Sequence, residues 1–542
     1  MSYRTAKRQS LNTSKDRGIF SWGYVDNIDN FNMASYYSPY NRNCRLDGQS
    51  IVIRPWHSLF AKLTAWVYPK GIGSYLRTNS ANDVMVVRHN QDATHHLVTI
   101  TEAGVITAID TTGKLASNNR MTFSNVWDVI YCMNGSDPYW KLNGTTYTEP
   151  CVLDDTKAPE SKDTTFSPAF WVKFNSCHRV SWRWKYPNKV YKSVWDNYED
   201  FAGTGSDNFA FWEPITGLAT VSEALFYFTK NTIAITNTSD VTDTAWVYTY
   251  SNRNLQVKEW ATNHACIIGV GNEIYYVTSS NTINKIARGN NVYGFETLDV
   301  SHRPYNGISK IMDNLDKDQS TARGYFLPDK NLIKRHFKSL WSAINDVVVI
   351  YDLTKDAFLI DSSKYFFDWL EFKGKNYTIS MVEWKVFLDE FGQDDEDAPI
   401  PFVYRTKEFY LSDPTFKKIL WEARTLIDIN ELASLTQEIW CDWGKVDTKT
   451  IDRDSVPWEL TWGIGIDAMW EHAIGTDWSS ASSTRDSDYV EMDILRTKGN
   501  LNKLCKKVQF RFTNGTLAGK VRLKNITAKW EVKDPSVTNL TE

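Results

Sequence analysis

The sequence lacks any apolar run long enough to cross a lipid bilayer, which takes about 20 residues. Its longest apolar runs are short, such as residues 347–351. The first twenty residues contain no apolar segment of the kind that forms the centre of a secretory signal. These absences predict a protein that is made in a cytoplasm and has no membrane segment.

Cysteine is also sparse. The chain has seven cysteines, an odd number without a CxxC pair, which indicates reduced thiols rather than a disulfide framework. A surplus of positive charge is missing as well, because 61 basic and 65 acidic residues give a net charge of −4. That balance excludes a strongly basic protein that holds nucleic acid through phosphate contacts alone.

Motifs for chemistry are absent or incomplete. No P-loop, HExxH or GxSxG sequence occurs. Residues 463–468 match the letters of a dinucleotide fingerprint, but their aromatic, strand-like surroundings favour a tight turn. His95 and His96 are adjacent and would face opposite sides of a strand, so they do not suit one metal ion. The sequence therefore predicts no enzymatic activity, no cofactor and no metal.

The acidic stretch at residues 389–397 allows two interpretations. Several carboxylates in one loop suit a calcium ion, but the spacing of a calcium-binding loop is missing. A solvated charged loop is the simpler interpretation. We therefore expect an exposed loop near a domain boundary.

The chain is rich in aromatic residues, with 23 Trp, 27 Tyr and 26 Phe. Aromatic and β-branched residues favour strands, so the composition predicts an all-β protein. Strand–turn–strand patterns recur at residues 95–109, 127–147, 170–184, 224–236, 273–287 and 346–360. In the centre of the chain they start about 48 residues apart, and a four-stranded propeller blade takes about 40–50 residues. A β-propeller is thus predicted, with an array of β-sandwiches as the alternative.

The pattern changes after residue 380. Residues 416–429 and 504–516 both begin with a Lys-Lys pair and continue with alternating apolar and polar residues, and a further strand is expected at 521–532. We predict a β-propeller over residues 25–380 followed by a β-sandwich-like domain over 381–542. Helical patterns are scarce, and residues 331–345 fit either a short amphipathic helix or two strands of a blade.

A basic arm precedes these domains at residues 1–24. It carries five basic residues against the single Asp16, and they are Arg4, Lys7, Arg8, Lys15 and Arg17. One interpretation is a disordered tail. The other is an arm that docks on an acidic neighbour in an assembly.

At residues 43–55, 187–201 and 215–233 the chain carries three segments that together resemble β-propeller tail proteins of tailed bacteriophages. Residues 43–55 resemble the opening motif of that family, although Trp56 stands where the family usually has glycine. Residues 187–201 and 215–233 resemble two further family stretches, in the same order. The positions that match the family motifs are Arg45, Asp47, Gly48, Arg54, Pro55, Tyr191, Ser193 and Phe201.

The resemblance implies a structural protein of the virion tail, of the nozzle or head–tail conduit type. Such a protein forms a homo-oligomeric ring with other tail and connector proteins, and DNA passes through without sequence-specific binding. A mildly acidic wall suits that passage, because it does not retain phosphates. The alternative is a propeller that binds a receptor or binds and degrades carbohydrate, although the Ser-x-Asp-x-Gly-x-x-Trp box of sialidase-type propellers is absent.

Overall fold

The structure is a computed structural model. It describes residues 7–10, 24–26, 33, 37–48, 50–55, 57–63, 68–77, 82–90, 97–109, 120–126, 128–133, 140–143, 146–148, 168–174, 178–183, 188–192, 207–221, 224–237, 261–288, 295–303, 307–362, 365–380, 382–390, 399–410, 417–429, 433–442, 444–452, 490–496, 503–515 and 520–532. Its first five strands are β1 (Lys7–Ser10), β2 (Tyr40–Arg42), β3 (Cys44–Asp47), β4 (Ser50–Ile53) and β5 (Ser58–Lys62).

The middle of the chain forms a succession of small antiparallel sheets. The first three sheets contain β6 (Tyr68–Tyr75), β7 (Val84–Asn90), β8 (Leu97–Ile100) and β9 (Ile106–Ile109); β10 (Thr122–Val126), β11 (Val129–Met133), β12 (Trp140–Asn143) and β13 (Thr146–Thr148); and β14 (Pro168–Phe174), β15 (His178–Arg183), β16 (Lys189–Lys192) and β17 (Asp207–Ala210). Consecutive strands pair in each sheet, so each sheet is a meander.

Four more sheets follow in the same manner. They contain β18 (Ile215–Val221), β19 (Ala224–Thr229) and β20 (Ile233–Asn237); β21 (Ile268–Val270), β22 (Glu273–Val277), β23 (Ile283–Arg288) and β24 (Phe295–Asp299); β25 (Arg323–Leu327), β26 (Leu332–Lys338), β27 (Asn345–Asp352) and β28 (Ala357–Ser362); and β29 (Phe366–Phe372), β30 (Lys375–Ser380) and β31 (Lys385–Leu388). Helical structure in the described residues includes α1 (Ser309–Asp313) and a 3₁₀ helix (His264–Cys266).

The seven sheets of the described residues close into a ring. The first strand of each sheet contacts the first strand of the next, in the order β6, β10, β14, β18, β21, β25 and β29, and β29 contacts β6 again. The last sheet gains its outer strand from β5, which pairs antiparallel with β31. This arrangement is a β-propeller whose ring is closed by a strand from the N-terminal side, and it confirms the predicted propeller.

Apolar side chains between neighbouring blades hold the ring together. Val87 and Ile100 of the first blade, for example, pack with Tyr377 and Ile379 of the last blade. Full burial of a side chain of this size contributes about 1.5–3 kcal/mol. The blades also approach closely at Gly73 of β6, where an added Cβ atom would clash with the side chain of Phe123 in the next blade.

Residues 331–345 form strands and not the alternative helix. They lie in β26 and at the start of β27, joined by a tight connection. In β26 the first six residues are all buried, because both faces of this strand pack inside the blade stack. The buried residues of β26 include Lys334, Arg335 and His336, so the burial of this strand follows from its central place in the sheet and not from a continuous apolar sequence.

A β-sandwich forms the second domain. Its remaining strands are β32 (Phe402–Arg405), β33 (Lys418–Ile429), β34 (Ser434–Cys441), β35 (Gly444–Asp452), β36 (Val490–Arg496), β37 (Lys503–Cys505), β38 (Val508–Asn514) and β39 (Val521–Val532). One sheet has the order β3-β4-β39-β33-β36, and the other has the order β2-β32-β38-β34-β35. Alternate residues of β34 and β38 point into a shared apolar core, which confirms the predicted sandwich-like domain.

The sandwich takes strands from both sides of the propeller. Strands β2, β3 and β4 pair with β32 and β39, so residues 40–53 belong to the sandwich and the propeller strands span residues 58–388. The sequence placed residues 25–380 in the propeller, because local patterns do not show pairing across more than 350 residues. The two similar segments at 416–429 and 504–516 supply β33 and β38, which lie in opposite sheets, and the second segment begins in β37, which pairs with β33. Residues 463–468, which match the letters of a dinucleotide fingerprint, lie outside the described residues.

The two ends of a blade define two faces of the propeller. We call the face at which the innermost strands begin the upper face. Because successive strands are antiparallel, the connections from one blade to the next and the turns between second and third strands lie at this face. The turns between third and fourth strands lie at the opposite, lower face.

Candidate functional site

The first segment of the family resemblance lies where the sandwich meets the sixth blade. Asn43 is buried with a backbone φ of 57°, and its N–H donates to the carbonyl oxygen of Ile360 at 2.8 Å. Its Nδ2 donates to Ser362 Oγ at 2.6 Å and to the carbonyl oxygen of Pro401 at 2.8 Å. Arg54 Nε donates in turn to Asn43 Oδ1 at 3.2 Å. Asn43 therefore ties the sandwich to the outer strand of the propeller.

The other residues of this segment shape the hairpin itself. Gly48 has a φ of 57° in the turn between β3 and β4, a conformation that favours glycine. Asp47 lies 2.6 Å from Arg522 Nη2 across the sheet. The buried Arg54 donates from Nη1 to the carbonyl oxygen of Pro55 at 3.0 Å. These contacts are structural, and none of them presents a reactive group.

The structure does not bring the remaining predicted residues to this place. Tyr191 lies in β16, where its backbone is paired with Ser181 and Asn208. Lys7 and Arg8 lie in β1, whose backbone pairs with β39 of the sandwich. The positions outside the described residues are Arg4, Lys15, Arg17, Ser193 and Phe201.

Arg45 is the centre of a buried ionic network. We call Arg45, Lys334, Asp361, Asp389 and Glu390 the junction cluster. The Arg45 guanidinium donates to both oxygens of Asp361, at 2.9 and 2.7 Å, and also contacts the Glu390 carboxylate. A planar guanidinium matches a carboxylate in this two-bond geometry. Strand β3 of the sandwich is thereby bonded to β28 and to the end of the last blade.

Lys334 extends the network between the last two blades. It projects from β26, and its Nζ donates to the two oxygens of Asp389 at 3.0 and 2.9 Å. The same Nζ lies 2.5 Å from Glu390 Oε1. Lys330 Nζ, near the rim, lies 3.3 Å from Glu390 Oε2. The two adjacent carboxylates are therefore held by cations from β3, β26 and the turn before β26.

Three aromatic and imidazole groups complete the surroundings of Asp389. Tyr325 donates its hydroxyl hydrogen to Asp389 Oδ2 at 2.9 Å, and His57 Nδ1 lies 2.7 Å from Oδ1. His336 Nε2 lies 3.4 Å from the Tyr325 oxygen. Burial lowers the pKa of His336 to about 3, with a further contribution from the charge of Lys334. His336 is thus a neutral core residue at pH 7.

The acidic stretch at 389–397 was expected to be an exposed loop, and for its first two residues this is wrong. Asp389 and Glu390 are only 4% and 8% exposed. They are buried because each one meets a cation from another part of the chain. Residues 391–398 lie outside the described residues.

The electrostatics of the cluster favour permanently charged groups. Burial alone would raise the pKa values of Asp389 and Glu390, but neighbouring cations reverse this effect. Lys334 and His57 bring the pKa of Asp389 well below its usual value, and Arg45 and Lys334 lower that of Glu390. A carboxyl that stays ionised at pH 7 does not donate a proton, so the cluster does not have the properties of a general acid.

Two carboxyls elsewhere have raised pKa values because of burial. Asp26 accepts hydrogen bonds from the backbone N–H groups of Lys310 and Ile311. Asp352 accepts them from Thr354 and Lys355 in a turn. Both carboxylates therefore stabilise the local backbone by accepting hydrogen bonds from its N–H groups.

In the part of the chain that the structure describes, no group of three or more His, Cys, Asp or Glu side chains is placed to hold a metal ion. Of the helices in the described ranges, none has the length and apolar character needed to traverse a bilayer.

Comparisons with known proteins give matches of structure only. No protein-family model matches the chain, and a search of curated proteins finds no match. YCF48 from Cyanidioschyzon merolae is 10% identical with a TM-score of 0.37, and the match covers 60% of this chain and 96% of that one. A structure of YCF48 bound to D1 peptide is 8% identical with a TM-score of 0.36, over 60% and 93% of the two chains. The propeller assignment itself rests on the ring of sheets described above.

Proposed function

We propose that the chain is a non-enzymatic structural protein of a bacteriophage tail, of the nozzle or head–tail conduit type. It assembles with copies of itself and with other tail and connector proteins into a ring in the virion, and DNA passes through this ring without sequence-specific binding. The proposal rests on the resemblance of residues 43–55, 187–201 and 215–233 to tail proteins.

One structural observation supports the proposal. The family-motif residues Arg45 and Arg54, with Asn43, are buried and bond the sandwich to the propeller. Their role is to fix two domains as one body and not to bind a substrate. Such a role supports a structural component that must keep its shape in an assembly.

The upper face of the propeller supports contact with partner proteins. Trp212, in the connection between β17 and β18, is 94% exposed, and Trp341, in the turn between β26 and β27, is 96% exposed. The strand directions put both connections at the upper face. Tryptophan is enriched among the residues that dominate binding at protein interfaces. We therefore assign the upper face to a contact with another virion protein.

The test begins with virions of the phage whose genome carries the gene. Mass spectrometry of purified particles is expected to find this chain, and electron microscopy is expected to place it in a ring around the tail axis. Particles that lack the chain would refute the proposal. A chain that is present as a single peripheral copy would refute the conduit position.

The interface is tested by substitution at the upper face. Trp212→Ser and Trp341→Ser together are expected to lower incorporation into particles while the purified protein keeps its unfolding midpoint. Val105→Ser is the matched control, because Val105 is exposed in the turn between β8 and β9 at the lower face. Equal incorporation of the tryptophan variant and the wild type would exclude this face as the interface.

A polysaccharide assay separates the proposal from the carbohydrate-degrading alternative. The purified chain is incubated with host surface polysaccharide, and released reducing ends are measured. We expect none, because the cluster carboxylates are held ionised. Release that a single Asp→Asn or Glu→Gln change abolishes would favour the alternative.

A further inference from the structure

A cavity of about 250 Å³ lies near the propeller axis, apart from the junction cluster. It is lined by residues from four different blades and from the 3₁₀ helix. Arg120, Arg323 and Asp368 lie at or next to the beginning of β10, β25 and β29, which puts the cavity toward the upper face. It is a polar cavity within a fold whose inter-blade cores are apolar.

The charges around this cavity do not balance. Arg120 Nη2 pairs with Asp368 Oδ1 at 2.7 Å. Arg323 is only 8% exposed, and its Nη1 donates to the carbonyl oxygens of Ser320 and Ala322 without meeting a carboxylate there. The described lining residues therefore carry two guanidinium groups and one carboxylate, and that carboxylate is paired with Arg120. A buried charge without a counterion is costly, so a net positive charge at this depth calls for an anion.

The protonation states of His264 and Arg323 leave the net positive charge around the cavity unchanged. Burial and the two arginines lower the pKa of His264 to about 3, so His264 adds no charge. Its Nδ1 accepts the N–H of Leu218 at 3.2 Å. Burial and the charge of Arg120 lower the pKa of Arg323 to about 9, which leaves it protonated at pH 7.

Hydrogen-bond donors are in surplus as well. Arg120 Nε, Arg323 Nε and Trp369 Nε1 are buried and have no acceptor among the described residues. All three belong to residues that line the cavity. The guanidinium groups of Arg120 and Arg323 also lie over the ring of Phe367, at 5.6 and 5.2 Å from its centroid. An aromatic face holds these cations in place without neutralising them.

We propose that this axial cavity binds a small monocarboxylate, with the carboxylate held by Arg120 and Arg323. One negative charge balances the surplus of one positive charge, whereas a dianion would leave one negative charge uncompensated. A carboxylate can also accept two parallel hydrogen bonds from a planar guanidinium. The volume suits a ligand no larger than a single sugar acid. The proposal does not depend on whether the protein is a virion component.

Glucuronate is a suitable probe, with glucose as its uncharged counterpart and inorganic phosphate as the competing anion. Isothermal titration of the full chain is expected to show binding of glucuronate and not of glucose. If phosphate binds and glucuronate does not, the assignment of a carboxylate is wrong. If neither anion binds, the cavity is not an anion site and the proposal fails.

Substitutions test the residues in opposite directions. Arg323→Gln is expected to weaken glucuronate binding about tenfold or more, because it removes a charged hydrogen-bond donor. Asp368→Asn is expected to strengthen binding, because it frees Arg120, and this second variant keeps the proposal testable if Arg323→Gln does not fold. Arg303→Gln, which removes an exposed pair with Asp356, is the control and is expected to leave binding unchanged. Weaker binding by Asp368→Asn, or unchanged binding by Arg323→Gln, would overturn the proposal.

Discussion

Substitution of Arg45 tests how much the junction cluster contributes to the free energy of unfolding. In Arg45→Met the apolar stem is retained, while the two bonds to Asp361 and the contact with Glu390 are lost. Removing one partner of a buried pair costs about 3–5 kcal/mol. Glu390 keeps Lys334 at 2.5 Å, but Asp361 keeps only Arg54 at 3.9 Å. Because one of the two carboxylates, Glu390, keeps a close cation, we expect a loss near the lower end of that range, about 3 kcal/mol.

A double-mutant cycle measures this interaction directly. The free energy of unfolding is obtained by urea titration for Arg45→Met, Asp361→Asn and the double variant. Because the two residues contact each other, the double variant is expected to lose less than the sum of the single losses, by about 1–2 kcal/mol. Arg303→Met is the control, since its exposed pair with Asp356 contributes less than about 1 kcal/mol.

Two results would refute this reasoning. A loss below about 0.5 kcal/mol for Arg45→Met would mean that the pair contributes no more than a surface contact. Strictly additive losses in the cycle would mean that Arg45 and Asp361 do not depend on each other in the folded protein.

Three further predictions concern acid, packing and thiols. Because the pKa values of Asp389 and Glu390 are lowered in the folded protein, the stability that these carboxylates contribute is present above about pH 4.5 and is lost as the pH falls. Glu390→Gln should lower the urea midpoint at pH 7, and the midpoint of this variant should fall less between pH 5 and 3 than that of the wild type. An equal fall in both proteins contradicts this prediction. Gly73→Ala should lower the free energy of unfolding by about 1–3 kcal/mol in a urea titration, because its Cβ would clash with Phe123. Gly444→Ala, with open space around the added Cβ, should leave that free energy unchanged. In a variant whose two cysteines outside the described residues are serine, the five buried thiols should react with Ellman's reagent only after unfolding, and fast native reaction contradicts their burial.

The sequence was sufficient to predict the two domain types. Hairpin patterns separated by about 48 residues identify blades because a meander of four strands is a local structure. The alternation in β34 and β38 likewise predicts a sheet with one buried face. The choice between helix and strands at 331–345 was not settled by pattern alone. It depends on burial of both faces of β26, which only the neighbouring blades provide.

The sites could not be predicted because their members come from distant parts of the chain. Arg45 meets Glu390 across 345 residues, and Lys334 meets Asp389 across 55. A run of acidic residues is usually solvated, so no local signal marks Asp389 and Glu390 as buried. The axial cavity could not be predicted for the same reason. Arg120, Arg323 and Asp368 belong to three different blades, and they meet only when the ring of blades is closed.

Two passages of the chain between the domains meet at the junction cluster. Strand β4 continues through Arg54 to His57 and then to β5, which closes the ring. Strand β31 continues through Asp389 and Glu390 toward β32 of the sandwich. His57 lies 2.7 Å from Asp389, so the two passages are in contact. Ring closure and attachment of the sandwich therefore depend on the same contacts, and weakening the cluster should loosen β5 and the sandwich sheets in one step.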